Sequence, residues 1–241
     1  MIKQFFYLLI LCMLSLRGGQ EELFQVPAYV KDINDEVYQN VITQLLENDI
    51  FPVSNLEADG LPFKQSYAVV DIDEDGKEEL IINYAGANSM AGTVYYIYDY
   101  ERTTGEVYIE HMGWPGASFY DNGYVKEEAS HNHGRSDLDD FWPYQLIVYN
   151  AEKDQYEQIA HVDAWQKALC PKDFPEEADK DRDGIVYYTF AIPSIPTAYM
   201  DKAEYDSWCE KFNKGERKKI NWTPILTEEE YNTVYHSVPE E

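Results

Sequence analysis

The sequence predicts an α+β fold: a curved antiparallel β-sheet or sandwich of successive hairpins, with an N-terminal helix and two C-terminal helices. Three observations carry this expectation. Apolar residues recur at helical spacing over 31–49, and helix-start signals return at 201–213 and 227–236. The interior of the chain instead alternates with period two, in runs rich in Tyr, Val and Ile broken by turn residues. The sharpest of those turns, residues 71–79, joins two apolar runs, 67–70 and 80–82.

An apolar fraction of 44% with 15% aromatics supports a sizeable core and argues against disorder. No Pro/Gly/Ser linker divides the chain, so residues 20–241 read as one α+β domain. Residues 1–19 read as a signal peptide. Lys3 supplies the positive end, 5–16 is an apolar run too short to span a bilayer comfortably, and Arg17-Gly18-Gly19 breaks it. Cys12 follows Leu11 rather than a small residue, which argues against a lipid anchor. The expected location is therefore secreted or cell-surface, with no membrane span in the mature chain. The net charge of −26 becomes −28 once Lys3 and Arg17 are removed. Such a surface repels nucleic acid and anionic membranes.

Over 31–49, Val37, Val41, Ile42, Leu45 and Leu46 make one apolar helical face, with Asp32 as the expected N-cap and Asp35 in the first turn. Residues 71–79 follow as Asp71-Ile72-Asp73-Glu74-Asp75-Gly76-Lys77-Glu78-Glu79. Carboxylates stand at positions 1, 3, 5 and 9, with Gly at 6. Alternate short acidic side chains can converge on one centre, and Gly76 permits the sharp bend. The expected ligand set is Asp71, Asp73, Asp75, the Lys77 carbonyl and Glu79. An all-oxygen set suits Ca²⁺ rather than Zn²⁺. Without a cation, each like-charge pair costs about 4 kcal/mol at 4 Å and an effective dielectric near 20. The alternative is a solvated acidic turn, since Asp and Gly are ordinary turn residues.

The loop is not an EF-hand, because positions 8 and 12 hold Glu78 and Ile82 and the flanks are strand-like. It resembles the strand–loop–strand calcium sites of FG-GAP and VCBS repeats and of thrombospondin type 3 repeats. That resemblance covers about twenty residues and concerns the ion, not the fold. The wider run YAVVDIDEDGKEELIINY is similar to uncharacterised secreted bacterial proteins, a resemblance that implies no particular reaction.

Beyond the loop, 93–100 and 106–110 predict a hairpin in which Val94, Tyr96, Tyr98 and Tyr100 share a face. Residues 119–126, turning at Asp121-Asn122-Gly123, predict a second, and 144–162 a third. The first and third resemble each other (IYDYERTTGEVYIE and IVYNAEKDQYEQIA), as do single β-propeller blades, but three hairpins are too few for a propeller. The 21 Tyr read mainly as cross-strand packing. Trp114-Pro115-Gly116 and Phe141-Trp142-Pro143 are the better candidates for exposed rings.

Residues 163–169 read as a short helix. Asp179-Lys180-Asp181-Arg182-Asp183-Gly184 then repeats the D-x-D-x-D-G core, with Tyr187 at position 9. Asp179, Asp181 and Asp183 are a second candidate metal set that needs an oxygen from elsewhere, with Glu176 and Glu177 the nearest donors. Pro193 and Pro196 interrupt the next stretch. Asp201 with Glu204, and Thr227 with Glu230, stand at capping-box spacing before the two C-terminal helices. The basic run Arg217-Lys218-Lys219 reads as an internal salt-bridge partner.

Two function classes follow. The leading expectation is a calcium-binding module, with Ca²⁺ structural and an extracellular protein or glycan as partner. The alternative is a secreted hydrolase. It would use a zinc site on His131 and His133, completed by His111 or His161, or a nucleophilic Cys170 or Cys209. No H-E-x-x-H motif accompanies the histidines and neither cysteine has a known nucleophile context; a Cys170–Cys209 disulfide and two unpaired structural thiols are the stronger readings, and the sequence does not separate them. The clustered acids read as ligands rather than general acids and bases, so the sequence leans away from an enzyme.

Overall fold

The computed structural model describes residues 33–48, 50–54, 56–57, 65–84, 94–114, 116–129, 134–192 and 195–235. Residues 1–19, for which a signal peptide is expected, Asp32 and the His131/His133 stretch lie outside these residues. The chain begins with α1 (Glu36–Asn48), β1 (Ile50–Phe51) and β2 (Leu56–Glu57). Next come β3 (Ser66–Val70), β4 (Glu79–Tyr84), β5 (Val94–Tyr100) and β6 (Val107–Gly113). A second series follows: β7 (Ser118–Phe119), β8 (Tyr124–Glu128), β9 (Tyr144–Asn150), β10 (Gln155–Gln166), β11 (Ile185–Ile192) and β12 (Ile195–Met200). The C-terminal part carries α2 (Lys202–Cys209), β13 (Thr223–Pro224) and α3 (Glu228–Tyr235).

The strands form a five-stranded sheet, β13-β3-β4-β5-β6, a six-stranded sheet, β12-β11-β10-β9-β8-β7, and the small β1-β2 ribbon. All strand pairings are antiparallel. Period-two alternation sorts the side chains into layers. Leu80, Ile82, Tyr96 and Tyr98 pack with Tyr38, Val41, Ile42 and Leu45 of α1 on one face of the five-stranded sheet. Ile81, Tyr95 and Ile97, on the opposite face, meet Phe119, Val125 and Ile147 of the six-stranded sheet. Tyr144, Leu146, Val162 and Tyr187 face away from that seam and pack with Tyr205 and Trp208 of α2. The fold is thus an α+β sandwich with the predicted helix order, and the three predicted hairpins are β5–β6, β7–β8 and β9–β10.

Several boundaries differ from the sequence expectation. Helix α1 starts at Glu36, and Asp35 caps it: its Oδ1 accepts the N–H groups of Val37 at 2.9 Å and Tyr38 at 3.3 Å. Residues 163–166 are not helical but finish β10, where Asp163 pairs across to Tyr188 and Trp165 to Val186. Cross-strand partners override the local pattern there. Strand β11 ends at Ile192 and β12 begins at Ile195; Pro193 lies outside the described residues. Pro196 lies in β12, an edge strand, opposite Phe190 and beside two register shifts, a setting in which a residue without an N–H is tolerated. Helix α2 stops at Cys209, short of the expected 213, and both C-terminal capping boxes form. Phe141 is buried rather than exposed, whereas Trp114 is exposed. Cys170 and Cys209 are free thiols.

Asp35 also accepts the Tyr100 hydroxyl at 2.5 Å, so it ties α1 to β5 as well as capping it. Asp35→Ala should destabilise the fold by about 1–2 kcal/mol. Urea denaturation followed by circular dichroism checks this, and an unchanged midpoint would contradict the capping role.

Candidate metal centre

The chain enters the 71–79 loop from β3 and leaves it into β4, whose first residue is Glu79, paired across to Val70. The loop is wound by its own carboxylates. Asp73 Oδ1 accepts the Asp75 N–H at 2.9 Å, and Asp75 Oδ1 accepts the Lys77 N–H at 2.7 Å. Glu74 and Gly76 adopt positive φ, at 68° and 93°. A Cβ on Gly76 would meet nothing within 4 Å, so the backbone angle, not space, calls for glycine there. From outside, Lys218 Nζ donates to the carbonyls of Asp71 at 3.1 Å and Ile72 at 3.0 Å, and pairs with Glu74 at 3.1 Å. The basic run at 217–219 therefore supplies an internal salt-bridge partner, as its sequence predicts.

Three of the predicted ligands converge. Carboxylate oxygens of Asp71, Asp73 and Glu79 all lie within 4.8 Å of one another. Calcium–oxygen distances of about 2.4 Å place the oxygens of one shell no more than about 4.8 Å apart, so this set fits a single ion. Asp75 stands outside the trio, with its Oδ2 3.0 Å from Lys77 Nζ. Glu79 is 1% exposed and Asp73 7%. Glu79 Oε2 accepts the Ile72 N–H at 2.8 Å, while Asp71 Oδ1 is buried without a hydrogen-bond partner. Burial pushes the Glu79 carboxyl up to about 8, and the charges of Asp73, Asp99 and Asp75 add to the shift. The Asp73 carboxyl is raised too, mainly by burial.

Two acids that the sequence reading missed complete the surroundings. Glu110 on β6 and Asp154 in the β9–β10 turn form a second trio with Asp73, again within 4.8 Å. Burial, then the charges of Asp73, Glu79 and Asp154, raise Glu110 to about 9. Asp99, buried beside them, is better served: Tyr38 and Tyr108 donate to it at 3.1 and 2.7 Å, and Arg102 reaches it at 3.3 Å. The only hint of these acids in the sequence is their place in the two similar hairpin segments.

The second loop copies the first in conformation. Asp181 Oδ1 accepts the Asp183 N–H at 3.1 Å, and Asp183 Oδ1 accepts the Ile185 N–H at 2.7 Å. Arg182 and Gly184 take positive φ, at 66° and 82°. Oxygens of Asp179, Asp181 and Asp183 lie within 4.8 Å of one another. Tyr187, at position 9, stacks on Tyr205 with ring centroids 4.1 Å apart and so serves the core. Glu176 pairs with Lys167 at 2.6 Å instead of turning to the loop. The nearby acid is Asp201, buried before α2. Burial, then the charges of Asp181, Asp179 and Asp201, raise the Asp183 carboxyl.

The hydrolase constellation is not assembled among the described residues. His111 faces Glu127 at 2.9 Å and His161 stacks on Phe190, and no described histidine enters an acid or thiol trio. The Cys209 thiol contacts the Tyr144 hydroxyl at 3.8 Å, and no histidine or carboxylate is hydrogen-bonded to either thiol. No described helix is long and apolar enough to cross a membrane. No family model matches the chain, and neither the curated proteins nor the solved structures contain a significant match.

These raised acids set a pH dependence. Glu79, Glu110 and Asp73 hold protons in the fold above the usual carboxylate range, near 4.5 and below. Between about pH 4.5 and pH 8–9 the folded, cation-free chain therefore binds more protons than the unfolded chain. Their contribution to stability is fully present below about pH 4.5 and is lost as the pH climbs through those raised values. Thermal melts in chelator should show Tm falling from about pH 5 to about pH 8. A Tm that rises over that range would contradict this account.

Proposed function

We propose that the protein is a secreted or cell-surface calcium-binding module in which the ion is structural. The observation that carries this reading is the convergence of Asp71, Asp73 and the buried Glu79 on one point at ion-shell spacing. Inward-turned acids at that spacing repel one another unless a cation or protons compensate them. The oxygen-only donor set supports Ca²⁺ over softer metals. The signal-like residues 1–19 and the acidic surface support an extracellular setting rich in divalent cations. Exposed Trp114 and Trp222 offer aromatic surface to an extracellular protein or glycan.

Affinity should be modest, with Kd on the order of 10⁻⁴–10⁻³ M. At about 2 mM Ca²⁺ and a Kd near 10⁻⁴ M, binding adds about 1.8 kcal/mol. That is a useful share of a total stability of about 5–15 kcal/mol, but not all of it. Calorimetry on folded, chelator-stripped protein should show saturable heat on adding Ca²⁺; no heat would sink the proposal.

The first loop should dominate, because its fourth acid, Glu79, is built into the core while position 9 of the second loop is Tyr187. Asp73→Ala should abolish most of the calcium-linked rise in Tm, and Asp181→Ala should leave most of it. Equal losses in the two variants would contradict this ranking.

A further inference from the structure

Glu127 and Glu110 show how differently this fold treats two inward carboxylates. Glu127, at 0% exposure, is surrounded by donors: the Tyr95 hydroxyl, His111 Nε2, the Trp114 N–H and the Gln145 amide. Burial alone would raise it, yet the hydrogen bonds from His111, Tyr95 and Gln145 hold it below the usual range. Glu110 is given no such donors. Both of its carboxylate oxygens are buried and no donor among the described residues bonds to either; the neighbouring group within hydrogen-bonding reach is the Asp73 carboxylate. Its carboxylate is aimed at acids instead, with one oxygen within 4.8 Å of oxygens on both Asp73 and Asp154. A bond between Glu110 and Asp73 can form only if one of them keeps a proton. The Tyr156 hydroxyl nearby is also buried and unpartnered. A buried carboxylate left without a donor is strongly disfavoured unless a proton or a cation compensates it.

We propose that Asp73, Glu110 and Asp154 hold a second Ca²⁺ beside the first, with the Asp73 carboxylate bridging the two ions. This inference rests on the calcium reading of the 71–79 loop and extends it to residues far away in sequence. Asp73 belongs to both trios, whereas Asp71 and Glu79 belong only to the first and Glu110 and Asp154 only to the second. The geometry therefore describes two adjacent positions and not one enlarged shell. Five carboxylates, Asp71, Asp73, Glu79, Glu110 and Asp154, face two divalent ions, so the charges nearly balance. The three ligands of the second ion come from different parts of the sandwich. Asp73 and Glu110 belong to the five-stranded sheet and its β3–β4 loop, and Asp154 to the β9–β10 turn of the six-stranded sheet. The Tyr108 hydroxyl on β6 already reaches Asp154 at 3.0 Å, and Tyr149 on β9 donates to it at 2.7 Å. The second ion thus fastens one sheet to the other, where the first fastens only a hairpin.

The competing possibility is that a proton, not a cation, compensates Glu110. Glu110→Gln separates the two, because a glutamine stands in for a protonated glutamate but is a poor calcium ligand. Asp154→Asn is the companion variant. It sits half-buried at the end of the β9–β10 turn at φ 51°, which asparagine tolerates, so it should fold even if the interior variant does not. Chelator-stripped wild type, Glu110→Gln, Asp154→Asn and Asp71→Asn are titrated with Ca²⁺ by calorimetry and counted by native mass spectrometry. Glu110→Gln and Asp154→Asn should each bind one Ca²⁺ fewer per chain than wild type while keeping the heat of the 71–79 loop. Asp71→Asn should weaken that loop's heat and leave the Glu110-dependent ion. A folded Glu110→Gln or Asp154→Asn that binds as many ions as wild type overturns the second position and leaves the first intact. A wild type that binds no Ca²⁺ overturns both.

Discussion

The site is governed by repulsion among carboxylates gathered about Asp73 at the end of the sheet seam. Asp71 and Glu79 approach it from its own loop, Glu110 and Asp154 from other strands. Placing them together opposes folding, and the fold tolerates them through its other features. Core residues on both faces of the five-stranded sheet hold β3 and β4 rigidly, so Glu79 cannot turn outward without unpairing from Val70. Lys218 grips the loop by its backbone carbonyls, a contact that leaves the loop's inward carboxylates to other partners. Asp99 nearby is neutralised by arginine and tyrosine. Among the described residues no lysine or arginine pairs with the set around Asp73, whereas Arg102 pairs with Asp99, and the calcium reading rests on that difference.

Most of the sheet and the local loop were legible because they depend on short-range physics. Alternation at Tyr95–Ile97 and Tyr96–Tyr98 separates two faces whatever they pack against. The loop winds because Asp73 and Asp75 bond to N–H groups two residues on, which the D-x-D-x-D-G spacing prescribes. The same spacing gives residues 179–184 the same conformation, although their ninth residue differs.

What was not legible depended on partners distant in sequence. Residues 163–166 read as helical alone, but Tyr188 and Val186 across the ladder make them strand. Pro196 reads as a strand breaker locally, yet it stands within β12 at the sheet edge. Asp75 belongs to the loop's acidic pattern yet pairs with Lys77, because the neighbouring lysine competes for it. Glu110 and Asp154 carry no motif at all. They come to Asp73 only because β6 and the β9–β10 turn meet across the seam, a register decided by the whole sandwich. The cap of α1 falls at Asp35 rather than the expected Asp32 for a similar reason, since Asp35 is fixed both by α1 and by Tyr100 of β5.

If cations compensate this cluster, their effect on motion should be local and should follow the ligands rather than the chain order. Hydrogen exchange read by mass spectrometry, with Ca²⁺ and with chelator, tests this directly. The account predicts that Ca²⁺ slows exchange in the 71–79 loop and in the 151–154 turn, while α1, α2 and the centres of β4 and β9 exchange alike in both conditions. Identical exchange across 71–79 in the two conditions, in a protein folded in both, would contradict the claim that a calcium ion organises this loop.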